Sequence, residues 1–476
     1  MKDEGKDAPS ASTTLAGTAD PGRPRAHATR LAVMIDTAAL FSTLLDAMRE
    51  ARETIWIIGW TFDPRTRLAP DALPGQESAI GKVLQDLAEE RPDLRIRILV
   101  WNAAGLSHVA RRLQPALARS WFRSTTISVE TDSTLPFGAS MHRKMVIIDD
   151  SLAFCPNDDI SVNRWDDQAH EDRNRFRRLP SGRIGPPWHA NHAVVEGPVA
   201  ATLAGEARAM WRRATGEEVP AGRSQRRDLW PAGLTPLLRD TEVSLVRTDP
   251  LGDERLQDEG LANFLACIAE ARHSLYVEST YLTSVRLRAA LAERLKDPDG
   301  PEIVLITGRH APAFFDRAVM DPPRRLFAEK LRQADRHDRL SILTPRSPGG
   351  RAIKVHSKLL IADDRLLRIG SHNMSNRSCG YDCELDIVAE SAEPDSLRGL
   401  RHRMIAHFLA VAPEAVARAE AGTGTIGGAI RQLDPDSRRL PGLSPHPPVW
   451  RGWLARMHLG DPERAADAWR PWRREG

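Results

Sequence analysis

The chain has 476 residues, 41% hydrophobic and 28% charged, which is long enough for two domains with full cores. Its 67 basic and 64 acidic side chains leave a net charge of +3, without the large positive field that tracking a polyanion needs, so no nucleic-acid partner is expected. Four cysteines (Cys155, Cys267, Cys379, Cys383) form no CxxC pair and have no His-rich segment beside them; neither a disulfide framework nor a zinc site is indicated, and reduced, cytoplasmic thiols are expected.

Residues 1–27 are rich in Ala, Ser, Thr, Gly, Pro and charge and contain no apolar core segment, so they read as a disordered tail and not as a signal peptide. The apolar stretch LAVMIDTAALFSTLLDAM is interrupted by Asp36 and Asp46 and has helical periodicity after Thr37, which fits a core-facing helix better than a membrane span. The expected location is the cytoplasm, peripheral to a membrane at most. A first lobe, 28–219, then alternates strand and helix: TIWIIGWTF, a helix near SAIGKVLQDLAEE, LRIRILVW, a helix near AGLSHVARRLQPAL, and a strand at TTISVE. A long polar loop carrying RWDD, RNRFRRL and PWH precedes HAVVEG and is expected to rim a site; LAGEARAMWRRATG closes the lobe as an amphipathic helix. Residues 220–233, rich in Pro, Gly and Arg, read as a linker. A second lobe, 234–420, repeats the order with LANFLACIAEARHSLYVEST, PEIVLITG, a helix near RRLFAEKLRQADR, LSILTP, and a closing helix near SLRGLRHRMIAHFLAV. Residues 421–476 form a Gly/Pro/Trp/Arg-rich extension in which GTGTIGG reads as a linker, and Trp450, Trp453, Trp469 and Trp472 are expected to pack the tail on the body.

The chemistry gathers in HSKLLIADDRLLRIGSHNMSNRSCGYDCE, residues 356–384. An extended run points His356 and Lys358 to one face, Asp363-Asp364 supplies a turn, and Gly370-Ser371 lets the backbone bend so that Asn373 reaches the same face. A lone histidine on a strand is ordinarily structural, but the pattern recurs in MHRKMVIIDD, where His142, Lys144 and Asp149 repeat the spacing of His356, Lys358 and Asp363. Upstream, EAR recurs at 50–52 and 270–272, each at a helix end running into a strand. The offsets, 272 − 52 = 220 and 356 − 142 = 214, differ by a few residues of loop, so the chain contains a duplicated domain.

Two H-x-K-x4-D motifs, the second followed by Gly370, Ser371 and Asn373, resemble the signature of the phospholipase D superfamily. The ESTYLTS stretch (278–284), RWDD (164–167) and PWH (187–189) look like the phosphatidylcholine-type branch with bacterial members, and the likeness runs from about residue 30 to 412. The resemblance implies an α/β fold of two similar lobes, each a mixed β-sheet flanked by helices, related by a pseudo-twofold axis with the active site between them. It implies no cofactor, and its partners are a phospholipid at a membrane surface and a water or alcohol acceptor; the oligomeric state is left open.

Two facing imidazoles suit two-step displacement at phosphorus, one attacking to give a phosphohistidine and the other protonating the departing alkoxide. Lys144, Lys358 and Asn373 would bind the non-bridging oxygens. No metal is required by that chemistry, and the sequence offers no carboxylate cluster for a catalytic metal pair. The resemblance gives Glu384 the task of holding a motif histidine's other nitrogen, makes His142 the nucleophile, and leaves Asp149, Asp363, Gly370 and Ser371 as structural motif positions. Asp159, Arg164, Trp165, Asp166, Trp188 and His189 form a candidate substrate loop. The first half-site departs from the pattern. Pro156-Asn157 stand where relatives carry Gly-Gly, and Ala190 stands where a carboxylate is usual, so His142 is expected to lack its orienting acid unless Asp166, Asp167 or another nearby acid replaces it. The leading expectation is headgroup cleavage or exchange on a glycerophospholipid. A cardiolipin synthase-like phosphatidyltransferase, a nuclease-like member and a catalytically weak phosphate-binding member are the alternatives.

Overall fold

Fourteen strands form one mixed sheet whose order reads the same outward from its centre in both directions. The computed structural model describes residues 22–71, 77–102, 109–222, 228–312, 314–444, 458 and 460–467. At the centre, β1 (Arg25–Ile35) pairs antiparallel with β9 (Leu238–Thr248). Outward from β1 run β8 (Asn191–Glu196), β6 (Leu152–Pro156), β5 (Met145–Ile148), β2 (Thr54–Gly59), β3 (Arg95–Trp101) and β4 (Ser128–Asp132). Outward from β9 run β16 (Glu384–Glu390), β15 (Leu366–Gly370), β14 (Lys358–Ala362), β10 (Ser274–Ser279), β11 (Glu302–Ile306) and β12 (Leu340–Leu343). Each half holds the same parallel outer trio and the same antiparallel hairpin, as a duplication requires. Two short strands, β7 (Trp188–His189) and β13 (Lys354–Val355), pair in parallel across the halves.

Strand side chains alternate between two apolar layers, which is why the strands read as near-continuous hydrophobic runs. Ile55 and Ile57 join a layer under α1 (Thr37–Glu50) and α2 (Ile80–Glu90), with α3 (Val109–Trp121) completing that flank of the first half. Val277 and Leu275 join the equivalent layer under α5 (Glu254–Glu270), α6 (Val285–Lys296) and α7 (Phe314–Ala334). Trp56 and Tyr276 point the other way, into one core shared by both halves and covered by α4 (Pro198–Thr215) and α8 (Pro394–Leu409). No helix among the described residues is long and apolar enough to cross a membrane.

Three expectations change. Arg25–His27, placed in the tail, begin β1, because Arg25, Ala26 and His27 find partners in Ser244, Val243 and Glu242; residues 1–21 lie outside the described residues. The GTGTIGG run is no linker. It closes α9 (Pro413–Thr423) with Gly424 at φ 75°, a left-handed turn suited to glycine, and opens α10 (Ile426–Leu433), whose N-cap Thr425 accepts from Gly428 N–H. The polar loop between β6 and β7 does not lie wholly on the surface: Asp166, His170 and Arg177 are buried, whereas Arg173, Arg175, Arg178 and residues 180–183 are exposed. Trp450, Trp453, Trp469 and Trp472 lie outside the described residues.

Candidate active site

Each half builds its motif on a tight hairpin. Asp149-Asp150 and Asp363-Asp364 all have φ near +50°, the backbone that two-residue hairpin turns demand and that aspartate tolerates. The carboxylate of Asp149 accepts from the N–H groups of Arg52, Glu53 and Thr54 at 2.7–2.9 Å, and Asp363 does the same for Arg272, His273 and Ser274. The motif aspartates therefore tie their hairpins to the start of β2 and β10, where the two EAR segments end. They lie away from the histidines. At the other end of β15, a side chain at Gly370 would collide with Leu385 O and Asp386 Oδ1, so only glycine fits.

The histidines do not lie in the strands themselves; His142 sits three residues before β5 and His356 two residues before β14. His142 N–H donates to Cys383 O at 2.8 Å, and His356 N–H donates to His189 O at 2.7 Å, so each histidine is anchored by the opposite half. The two imidazoles face each other with ring centroids 6.4 Å apart. Lys144 Nζ donates to His142 O at 2.9 Å, and Lys358 Nζ to His356 O at 2.6 Å, so both ammonium groups lie on the histidine side. Asn373 is 4% exposed and its Oδ1 has no hydrogen-bond partner.

The surroundings of the two rings differ. His142 Nδ1 lies 2.8 Å from Glu384 Oε2 and 3.0 Å from Ser371 O, so it carries the proton and Nε2 is left as a lone pair. Burial, then the charges of Lys144 and Lys358, hold the His142 imidazole well below its usual pKa. Burial pushes Glu384 up to about 7, and Ser378 Oγ donates to its other oxygen at 2.6 Å. His356 Nδ1 lies 3.2 Å from Asp158 Oδ1 and 2.9 Å from Lys358 Nζ. Burial, then Lys358 and Arg164, hold His356 well below its usual value, and Lys358 is lowered by burial and Lys144. Trp188 lies tilted against His356 with centroids 5.4 Å apart, and Arg164 lies over that indole at 4.3 Å while its Nε meets Asp158 Oδ1 at 2.8 Å.

The family profile described as "Cardiolipin synthase, PLD-like domain" matches residues 264–406. Phospholipase D alpha 1 of Cynara cardunculus is 23% identical over 336 residues, covering 55% of this chain and 40% of that protein. Phospholipase D B of Dictyostelium discoideum is 24% identical over 212 residues, covering 38% of this chain and 17% of that protein. The crystal structure of phosphatidylserine synthase from Haemophilus influenzae Rd KW20 shares the fold, with a TM-score of 0.54 and 13% identity over 80% of this chain and 86% of that one. The chain belongs to the phospholipase D superfamily. It spans less than half the length of the curated relatives it matches first.

Membership of the superfamily makes the departures around position 190 informative. Ser371 N–H bonds Leu385 O, and Asn157 N–H bonds Asn191 O, so the halves superpose Asn157 on Ser371 and Ala190 on Glu384. Glu384 reaches across to His142 of the other half. By the same operation the side chain at 190 faces His356, so the acid lost at Ala190 is a partner of His356, not of His142. His142 keeps its carboxylate. The substitutes considered from sequence do other work: Asp166 accepts from His170, Arg177 and Trp188 N–H, and Asp167 accepts from Asn174. Asp158, which sequence reasoning passed over, is the acid beside His356.

Of the candidate substrate loop, Arg164 and Trp188 wall the site, whereas the rest turn inward. Asp159 accepts from Trp60 N–H at 2.8 Å, Trp165 packs on Phe176 within the first half's core, and His189 is enclosed between Asp36 and Glu278. Asn157 joins the halves: its Oδ1 accepts from Lys358 N–H at 2.7 Å and its Nδ2 donates to Gly370 O at 2.5 Å. A glycine could make neither bond.

Proposed function

We propose that the chain is a phospholipase D-type phosphodiesterase that cleaves the headgroup of a glycerophospholipid, or passes the phosphatidyl group to an alcohol, through a phosphohistidine. His142 Nε2 attacks phosphorus, forming an N–P bond as the P–O bond to the headgroup breaks, and His356 gives its proton to the departing alkoxide. His356 then takes a proton from water or an alcohol, which attacks phosphorus and releases His142. Lys144, Lys358 and Asn373 hold the non-bridging oxygens while charge shifts. Glu384 and Ser371 O keep the His142 proton on Nδ1, which directs the Nε2 lone pair at the phosphorus. The observation that carries this reading is the pair of histidines opposed across the two halves with ring centroids 6.4 Å apart, each flanked by its lysine and delivered by duplicated hairpins.

The matching family profile favours phosphatidyl transfer to a second lipid as the other reading. Both are tested by incubating the protein with mixed phospholipid vesicles, with and without a primary alcohol, and identifying products by mass spectrometry. Phosphatidic acid and phosphatidyl alcohol support the first, cardiolipin supports the second, and no product with bound vesicles supports a phosphate-binding protein without turnover.

A further inference from the structure

A second polar cluster lies buried between the halves, behind the strand that carries His189. Asp36 comes from the junction of β1 and α1, His170 from the loop before β7, and His407 from the last turn of α8. Asp36 and His170 are completely buried, and the His407 side chain is 4% exposed. Their positions, up to 371 residues apart (407 − 36), gave no local metal-binding spacing to the sequence reading.

The outer nitrogens settle what the inner ones present. His407 Nδ1 lies 2.9 Å from Met404 O, which can only accept, so His407 carries its proton there. His170 Nδ1 lies 2.9 Å from Asp166 Oδ2, an oxygen already accepting from Arg177 and Trp188 N–H, so His170 carries its proton there too. Neutral His170 and His407 thus aim two Nε2 lone pairs at each other across 3.0 Å. Asp36 Oδ2, which has no hydrogen-bond partner, completes a triangle at 3.4 Å from His170 Nε2 and 3.6 Å from His407 Nε2. Three acceptors converge with no donor among them. Only a cation resolves that: a proton trapped between the imidazoles, or a metal ion.

The triangle has the dimensions of a metal site. Tetrahedral ligands at about 2.0–2.1 Å from zinc stand about 3.3 Å from one another. A point about 2.0 Å from all three atoms lies just outside their plane. The further atoms bonded to the three ligands are those that orient metal ligands elsewhere: a carboxylate on His170, a carbonyl on His407, and His189 Nδ1 on Asp36 Oδ1 at 2.8 Å. Asp36 and His170 hold φ of 68° and 46°, unusual for residues with side chains.

We propose that Asp36 Oδ2, His170 Nε2 and His407 Nε2 bind one divalent transition metal of the zinc class, with His189 orienting Asp36 and water at the fourth position. Imidazole and carboxylate donors select such ions over magnesium or calcium. The metal pins α8 of the second half to the β1–α1 junction and polar loop of the first. His189 O also carries the backbone of His356, so the pin lies one residue from the active site.

Tag-free protein expressed in zinc-supplemented medium and desalted should contain one transition-metal ion per chain by elemental analysis. His170→Ala and His407→Ala should each contain at least tenfold less, and His407→Cys, which restores a soft donor, should recover it. As a measurement independent of variant folding, wild type stripped by chelator in mild urea and titrated with Co2+ should develop visible d–d absorption that saturates at one equivalent, and its melting temperature should rise with the added ion. A wild type that holds no metal as purified and gives no cobalt spectrum overturns the proposal in favour of a bridging proton. Metal retained equally by folded His170→Ala and His407→Ala overturns it in favour of an adventitious ion.

Discussion

Replacing Glu384 tests its pairing with His142 across the halves, which the sequence left open by giving Glu384 to one of the motif histidines. In Glu384→Ala, His142 loses the carboxylate at 2.8 Å but keeps Ser371 O at 3.0 Å, so its proton stays on Nδ1 and the attacking tautomer survives. Loss of an orienting carboxylate that also scrambles the tautomer costs up to about 10⁴ in rate. Here only the charge-assisted bond is lost, about 1.5–3 kcal/mol, or roughly 10- to 150-fold. The assay is the burst of p-nitrophenolate from a p-nitrophenyl phosphodiester, whose leaving group departs without a proton and so isolates attack by His142 from acid help by His356. Glu384→Ala should slow the burst about 10²-fold by that reckoning with little change in KM. Ala190→Asp should not accelerate it, alone or in the Glu384→Ala background, because position 190 faces the other ring. It should also lower the melting temperature, since the new carboxylate replaces a fully buried methyl group. A silent Glu384→Ala together with a faster Ala190→Asp would refute the cross-half pairing.

Four further outcomes follow from the same geometry. The wild-type burst rate should fall as pH drops through about 7, where Glu384 takes up a proton and ceases to be an anionic acceptor, and that limb should vanish in Glu384→Ala. The same group, raised in the fold from its usual 4.5, supports stability below 4.5 and loses that support as pH rises to about 7, so Glu384→Ala should gain stability relative to wild type over that interval in chemical denaturation. His142→Ala should form no covalent intermediate from any substrate, whereas His356→Ala should regain most of its burst when alkoxide is replaced by p-nitrophenolate; equal loss on both substrates would contradict the division of roles. Asn157→Ala should cost about 2–6 kcal/mol by leaving Lys358 N–H and Gly370 O buried without partners, read as a lower melting temperature.

What could be read along the chain was local or repeated. The hairpins announce themselves through apolar runs broken by Asp-Asp, and the duplication through the common offset of His142 and His356. The strand assignment of the motif failed by two or three residues, since His142 lies three residues before β5 and is held by Cys383 O, an acceptor 241 residues away (383 − 142). Pairings between the halves were invisible for that reason. Nothing local distinguishes a Glu384 that serves its own half from one that reaches His142. The buried part of the polar loop was not legible from its composition, because Asp166, Arg177 and His170 satisfy one another inside the protein. Asp158 drew no notice because its equivalent in the second motif is His372, which bonds Asp386 and Thr248 instead.

The duplicated halves have diverged where divergence assigns roles. A symmetric site would give each imidazole a carboxylate on Nδ1, and nothing would choose between them as nucleophile. Here one half supplies Glu384 and the other supplies Ala190, so only His142 has its proton locked by a carboxylate and a carbonyl together. His356 has Asp158 and Lys358 on the same nitrogen, an acceptor and a donor, and so can change tautomer as a proton shuttle must. When a phosphodiester enters, its negative charge offsets Lys144 and Lys358, two of the charges that depress the His356 pKa, and the ring can then take up the proton that the leaving alkoxide needs. On this reading the loss at Ala190 does not disable the first half-site. It frees the second histidine from a fixed tautomer, and leaves the first committed to attack.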